Sequence, residues 1–285
     1  MTGEIKAIPP GLYFQLFLDA FRGDRRKKLE EFCRSPLMNL SLVSGVIMHD
    51  FPKSRPLAGF SSDPVKRAQE GIETIRASAL GKRAGMAYGL DGRTDGDGSA
   101  LTAEEKGERM GRAVAASRAD VCLPNAETQW DSDLGPADDM DESGALRMGA
   151  RYRAFAPMTY TIDQPWPMID QHGQNRRVAK PIGEGGSFAG FPVEEFATWC
   201  DARAPQYYWA NWYRTWGKDA YKKVWDWHQK EWKTVEDGMR ALEPKLIKPR
   251  TVTIQCYGHD AYPWTAVDFL VRYGTRYPII GWSDP

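Results

Sequence analysis

Alternating strand-like and helix-like segments predict an α/β protein of the (β/α)8 barrel class. Eight short apolar runs alternate with seven helix-like segments, the pattern of a parallel sheet whose strands are linked by helices. Glycine, histidine and acidic residues are frequent where a strand-like run passes into the next helix. A barrel of this class typically takes about 250 residues, so a single domain is expected to span residues 1–285.

The predicted strands are short runs rich in β-branched and aromatic residues, bounded by glycine, proline or acidic residues. The fourth strand begins at Ala119 and stops at Pro124. The other seven are residues 12–18, 42–48, 84–90, 152–160, 206–211, 251–257 and 277–282.

Two of the predicted helices have clear start signals. Asp63-Pro64 is a cap followed by proline in the first turn, and Thr102 with Glu105 matches a capping box. The predicted helices are residues 25–33, 62–78, 103–116, 138–151, 192–201, 218–242 and 263–273.

Two irregularities depart from a regular barrel. Residues 161–190 show no hydrophobic period and are predicted to form a long loop insertion. The sequence stops soon after the eighth strand, so the last helix of the barrel is expected to be missing. A partner or a second copy would then cover strand eight, and burial of Ile279 and Ile280 would reflect that cover.

Composition and charge exclude several classes of function. Lys plus Arg and Asp plus Glu number 38 each, so neither nucleic acid nor an anionic membrane is expected as a partner. No apolar run approaches the about 20 residues of a bilayer span, and the N-terminus lacks the features of a Sec signal peptide. The four cysteines are far apart, which favours buried free thiols over disulfides or metal ligands. They are Cys33, Cys122, Cys200 and Cys256.

The segment around the end of strand four carries the main candidate site. Because proline cannot donate to a sheet ladder, Pro124 belongs at a strand end. Asn125 and Glu127 follow it, and side chains two apart in an extended chain point the same way. Both side chains are therefore expected to face one pocket, although a polar loop with an exposed glutamate would give the same sequence.

Carboxyl ends of parallel barrel strands meet at one mouth, where active sites of this fold are built. Hydrolysis of a glycosidic bond requires one carboxylic acid and a second carboxylate, and no cofactor. Glu127 is the candidate acid, because an acid at an apolar strand end has its pKa raised by desolvation. Asp91 is the first candidate for its partner and Asp50 the second, since both follow neighbouring strands.

Substrate contacts are expected from the same mouth. The chain has 11 Trp and 12 Tyr, which indicates either an aromatic core or a surface that stacks on sugar rings. Each ring taken singly is more often part of a core. The candidate substrate-binding residues are Asn125, Trp130, Tyr160, Asn211, Trp212, Tyr257 and Trp282.

Asn125-Ala126-Glu127, followed by a downstream Tyr-Trp-x-x-Trp-Tyr run, resembles the TIM-barrel glycoside-hydrolase-like proteins of bacteriophages. These are relatives of the muramidase (lysozyme) barrels, which have Asp-x-Glu at this point. The resemblance extends from about Leu12 to Trp282 and implies that Glu127 is the acid. Asn125 stands where those lysozymes have Asp, so a second carboxylate must come from elsewhere.

The resemblance also implies a location and partners. Such phage proteins are often tail-associated virion proteins, found in the particle or, before assembly, in the host cytoplasm. It therefore implies a peptidoglycan or surface-polysaccharide target, with other virion proteins or a homo-oligomer as further partners.

Two alternatives stay open at this stage. The barrel could be a catalytically inactive structural or glycan-binding virion protein. It could also be a metal-dependent hydrolase, because several metal-ligating residue types occur at strand ends, although no tight His-x-His spacing appears. The residues for such a metal site are His49, Asp50, Glu127, His259 and Asp260.

Overall fold

The computed structural model describes ten parts of the chain. The described residues are 8–18, 21–50, 57–90, 101–126, 130, 140–164, 192–204, 206–207, 252–256 and 278–283.

Nine strands form one parallel sheet, in the order β6-β5-β4-β3-β2-β1-β9-β8-β7. Only residues 204 and 205 separate β6 from β7, the two ends of this order, so the chain itself joins the two edges of the sheet. The sheet thus has eight positions in a closed circle, which confirms the predicted (β/α)8 class. The strands are β1 Gly11–Phe17, β2 Val43–Asp50, β3 Arg83–Gly89, β4 Val121–Asn125, β5 Tyr160–Asp163, β6 Ala202–Arg203, β7 Gln206–Tyr207, β8 Val252–Cys256 and β9 Pro278–Ser283.

Five α-helices are described, and local capping fixes the start of most of them. The Asp63 side chain accepts a hydrogen bond from the Lys66 amide at 2.7 Å, and Thr102 and Glu105 form the predicted capping box. A short 3-10 helix, Pro36–Asn39, precedes β2. The helices are α1 Arg25–Cys33, α2 Pro64–Ser78, α3 Ala103–Ser117, α4 Glu142–Phe155 and α5 Val193–Trp199.

Strand alternation divides the apolar residues into two cores. One set, which includes Met48 and Met86, packs between the sheet and the helices. The other set lies inside the barrel and includes Tyr13, Ile47 and Leu123. The face of any polar strand residue therefore follows from its position in this alternation.

The prediction was wrong at the boundary between α4 and β5. Residues 152–155 continue the helix, and the strand begins only at Tyr160. Tyr152 is fully buried, its hydroxyl lies 2.9 Å from that of Thr161, and its ring packs against Trp199. This tertiary packing outweighs the local preference of a run with several aromatic residues for strand. The loop predicted from residue 161 therefore starts later, since residues 161–163 belong to β5.

Cys33, Cys122 and Cys200 are buried free thiols, as expected. Burial raises the pKa of the Cys33 and Cys122 thiols to about 12, so both are unreactive. The side chain of Cys256, most of strand six and the helices predicted at 218–242 and 263–273 lie outside the described residues. None of the described helices has the length and apolarity that a bilayer span requires.

The burial of Ile280 does not test whether a partner covers the strand in place of a missing helix. It is fully buried, but it belongs to the core inside the barrel. Its burial therefore follows from barrel closure. The side chain of Ile279 is not described, so both the missing helix and the single-domain assignment stay predictions.

Candidate active site at the carboxyl end of the barrel

Four buried polar side chains occupy the inner face at the carboxyl ends of the strands. His49 is two residues beyond Ile47 on β2, and Asn125 two beyond Leu123 on β4, so both continue the inward-facing series. Gln164 follows β5 and forms an isolated parallel bridge with Asn125. With Gln15 of β1, these residues are at most 2% exposed. They form a set of uncharged polar groups beneath the mouth.

A hydrogen bond crosses the barrel at this level. Gln164 Nε2 donates to Gln15 Oε1 at 2.9 Å, and both amides are fully buried. Because β1 and β5 are four positions apart in a circle of eight, they lie on opposite sides of the barrel. This cross-barrel hydrogen bond fixes the Gln164 side chain, while the Gln164 backbone amide donates to the carbonyl of Pro124 at 3.1 Å. The end of β4 is thus held from across the barrel.

His49 is a neutral member of this set. Its ring lies 4.0 Å from the ring of Phe17, measured between centroids. Burial lowers the pKa of His49 from its ordinary 6.5 to about 3, because an imidazolium would lose its hydration. At neutral pH His49 can therefore act as a hydrogen-bonding group and not as a cation.

Asp50, the second choice for the catalytic partner, does not face the mouth. Strand β2 extends to Asp50, which falls on the same face as Met48 and points towards the helices. Its carboxylate accepts a hydrogen bond from Arg67 Nε of α2 at 2.7 Å, and both side chains are buried. Desolvation raises the pKa of the neighbouring Tyr88 hydroxyl, and the charge of Asp50 adds to that effect. Asp50 is a structural ion-pair partner, so its predicted catalytic role is corrected.

The backbone of Leu90 connects the ends of β3 and β4 to two buried side chains. The Leu90 amide donates to the Asn125 carbonyl at 2.9 Å. The Leu90 carbonyl accepts from both Lys106 Nζ and Trp130 Nε1, each at 3.3 Å. Ala126 and Trp130 are buried on either side of residues 127–129. The chain is therefore fixed immediately before and after residues 127–129, and the buried Lys106 side chain takes part in this arrangement through Leu90.

Trp130 is not the stacking platform that we predicted. It is fully buried and packs edge-to-face against Phe196 of α5, with 5.2 Å between ring centroids. It belongs to the layer between sheet and helices. A ring must expose a face to stack on a sugar, so Trp130 is a core residue.

The predicted role of Tyr160 in substrate binding is also corrected, because Tyr160 lies at the opposite end of the barrel from the mouth. It is the first residue of β5 and pairs with Val121, the first residue of β4. Desolvation raises the pKa of its buried hydroxyl. Tyr160 belongs to the interior core near the amino ends of the strands.

Most of the other predicted site residues lie outside the described part of the chain. They are Glu127, Asp91, Asn211, Trp212, Tyr257 and the side chain of Trp282. Their roles stay predictions, while Asn125 lies on the inner face at the end of β4, as the position of Pro124 suggested.

Gln15, Gln164 and Lys106 were missed by sequence reasoning. A signal was present for Gln15, the single polar residue of the apolar run at 12–18. Its side chain is placed inside the barrel by alternation with Tyr13.

Within the described ranges, no three His, Cys, Asp or Glu residues form a group that could hold a metal ion. His49 and Asp50 are adjacent on β2 and therefore point to opposite faces. They cannot both reach one ion, while His259 and Asp260 lie outside the described residues. Of the two His-Asp pairs predicted for a metal site, His49-Asp50 therefore cannot bind one ion together.

Comparison with known proteins supports the fold. No family model matches the sequence, and no curated protein matches it. The active domain 2 of a Pyrococcus furiosus chitinase has a similar fold, with a TM-score of 0.56 and 12% identity over 97% of this chain and 84% of that chain. An endocellulase from Pyrococcus horikoshii gives 0.51 and 13%, over 90% and 78%.

A protein assigned as an α-L-fucosidase from Bacteroides thetaiotaomicron gives a TM-score of 0.55 and 12% identity, over 99% of this chain and 90% of that chain. The chitinase domain has also been solved with chito-oligosaccharides. At such identities the similarity concerns the fold: this chain has the TIM-barrel architecture found in several glycoside hydrolases.

Proposed function

We propose that this chain is a glycoside-hydrolase-like barrel that acts on a bacterial cell-wall or surface glycan, with Glu127 as the general acid. The observation that carries the proposal is the position of Asn125 on the inner face at the carboxyl end of β4. Glu127 follows Asn125 by two residues in the sequence, and this fold builds its active sites at that end of the barrel. The similarity in fold to chitinase and cellulase structures supports the proposal.

A second candidate function is a catalytically inactive glycan-binding or structural barrel. It is favoured by the uncharged residues of the inner face. Among the described residues, the polar side chains on this face at the carboxyl end of the barrel are amides and a neutral imidazole. Asp50 is already paired with Arg67 on the outer face. Asp91 is then the leading candidate for the second carboxylate that hydrolysis requires.

The biological setting forms the finer part of the proposal. The resemblance of Asn125-Ala126-Glu127 to phage barrel proteins supports a tail-associated virion protein whose substrate is peptidoglycan. In that setting the mouth would contact the bacterial surface, and other virion proteins would hold the barrel in the particle.

The test is release of reducing sugar from purified peptidoglycan, with chitin and cellulose in parallel. Wild-type protein should release reducing ends, and Glu127→Gln should reduce the rate by at least about 100-fold, since general acid catalysis contributes roughly 10² to 10⁴. Asp91→Asn should give a comparable loss. Glu73→Gln, a matched change at an exposed position of α2, should leave the rate unchanged.

The outcomes separate the two candidates. Equal rates for wild type and Glu127→Gln would remove Glu127 from the mechanism. Saturable binding of the glycan without release would identify the inactive binding barrel. If the protein neither releases sugar nor binds the glycan, both candidate functions are contradicted.

A further inference from the structure

Exposed apolar residues gather at the amino ends of the strands, opposite the mouth. Six large apolar side chains of the described residues are exposed, and five of them lie in the connections that lead into β2, β3 or β5. The exposed fraction reaches 52% at Leu40 and 80% at Leu80. The amino-end patch is defined as Leu37, Leu40, Leu42 and Leu80. Single exposed leucines are ordinary, but several on neighbouring loops indicate a contact surface.

Hydrogen bonds hold the two loops of the patch together. Lys82 Nζ donates to the carbonyls of Leu40 at 3.2 Å and of Val43 at 2.7 Å. The Lys82 amide donates to the Ala79 carbonyl, which closes the turn that carries Leu80. The patch is therefore preorganised, as expected of an interface whose backbone changes little on binding.

The surroundings of the patch are basic. Two of the cations, Arg76 and Arg83, share the single carboxylate of Asp120, at 3.6 and 3.5 Å. Arg34 pairs with Glu30, whereas Lys82 is held by carbonyl oxygens. Among the described residues around the patch, five cations thus face two carboxylates. The five are Arg34, Arg76, Lys82, Arg83 and Arg118.

We propose that the amino-end patch docks a protein surface that presents an apolar ridge flanked by Asp and Glu side chains. The leucines would contact the ridge, and the surrounding cations would pair with its carboxylates. A second copy of this chain fits poorly, because two copies of the same basic face would repel each other.

An anionic lipid surface is also a poorer occupant. Leu37, Leu40 and Leu42 are each about half-buried, so only Leu80 offers most of its side chain to a bilayer. Glu30 and Asp120 lie among the cations, and a membrane would have to desolvate them or repel them. A folded acidic protein can instead leave these carboxylates in solvent at the edge of the contact.

The patch and the mouth lie at opposite ends of the barrel, so both could be occupied at once. This inference concerns attachment and does not require glycosidase activity. Its test therefore uses binding, and its failure would leave the proposed function untouched.

The probe is a fluorescent amphipathic peptide helix with leucine at every third or fourth position and glutamate elsewhere. Anisotropy should show saturable binding. Leu40→Ser combined with Leu80→Ser should weaken it by at least about tenfold, because two apolar contacts are lost. Raising the salt from about 50 to about 500 mM should also weaken it, through screening. Leu146→Ser, a matched change at a 46% exposed leucine on α4, should have no effect.

Several results would overturn the proposal. One is the absence of saturable peptide binding. Another is a loss of binding in Leu146→Ser as large as the loss in the double substitution at Leu40 and Leu80. Binding to phosphatidylglycerol vesicles in place of the peptide would identify a lipid surface. A dimer in sedimentation that the double substitution dissociates would identify a second copy. The substituted side chains are exposed, so unchanged melting temperatures should show that every variant folds.

Discussion

His49 carries a consequence for stability that depends on pH. Its pKa falls from 6.5 to about 3 in the folded protein because burial removes the hydration of the imidazolium. Between these values the unfolded chain binds a proton at this imidazole and the folded chain does not. The free energy of unfolding should therefore decrease as the pH falls below 6.5, by up to about 1.4 kcal/mol per unit.

We expect His49→Gln to remove this part of the pH dependence. Between pH 7 and pH 5 the wild type should lose about 2 kcal/mol more stability than the variant, since glutamine does not titrate. Urea unfolding of both proteins at the two pH values measures the difference. The same loss in both proteins would show that His49 is protonated in the folded state.

At the scale of single residues, alternation in a strand predicted more than residue type. Asp50 was assigned to the mouth because it is acidic and follows an apolar run. Period-two alternation from Met48 places it on the helix-facing side, where Arg67 binds it. Arg67 lies 17 residues further along the chain, so no local sequence pattern predicted the ion pair between Asp50 and Arg67. The position of Asn125 at the end of β4 followed from a local rule, the preference of proline for strand ends, although Asn125 is itself still paired with Gly89 and Gln164.

Helices α3 and α4 are packed closely through glycine. A Cβ atom at Gly107 would overlap the backbone carbonyl oxygen of Met148, and one at Gly111 would lie 2.8 Å from the carbonyl oxygen of Tyr152. Backbone atoms cannot move aside as the end of a flexible side chain can. The separation of the two helices therefore depends on these glycines, one turn apart on α3.

Gly107→Ala should destabilise the protein by about 1–3 kcal/mol, although alanine favours helix by up to about 1 kcal/mol. The cost arises because α3 and α4 must move apart and lose buried contacts. Chemical denaturation gives the value. Arg109→Ala, at an exposed position of the same helix, should change stability by less than about 0.5 kcal/mol. A neutral or stabilising Gly107→Ala would mean that the helices can separate without loss.

Helix starts could be predicted where the determinants are local. Asp63-Pro64 and Thr102 with Glu105 gave the starts of α2 and α3. The end of α4 could not be predicted in this way. It depends on the burial of Tyr152 against Trp199 and on Arg153, whose guanidinium pairs with Asp201 at 2.7 Å. These partners are more than 40 residues away in the chain.

For the molecule as a whole, the cross-barrel hydrogen bond between Gln15 and Gln164 joins opposite walls. Its two residues are 149 positions apart in sequence, so the fold class could be predicted from periodicity while this contact could not. A buried hydrogen bond that loses one partner typically costs about 1–3 kcal/mol.

A double-mutant cycle should detect this connection. Gln15→Leu and Gln164→Leu should each destabilise, and their joint effect should fall short of the sum by about 0.5–3 kcal/mol, because the first change already removes the shared bond. Urea unfolding of the four proteins gives the coupling. A control cycle of Gln15→Leu with Gln69→Leu, on α2, should be additive. Additivity in the first cycle would show that the bond contributes no coupling.

The order of strands in the closed sheet has a consequence for synthesis. Strand β9 lies between β1 and β8, so a growing chain can pair the strands from β1 to β6 but cannot cover the free side of β1 until β9 leaves the ribosome. Domains fold during synthesis as their segments emerge. Unpaired strand edges are sites of association with other chains. The nascent protein therefore keeps an unpaired edge on β1 until residues 278–283 have been synthesised, and slow elongation before residue 278 should favour aggregation over closure of the sheet.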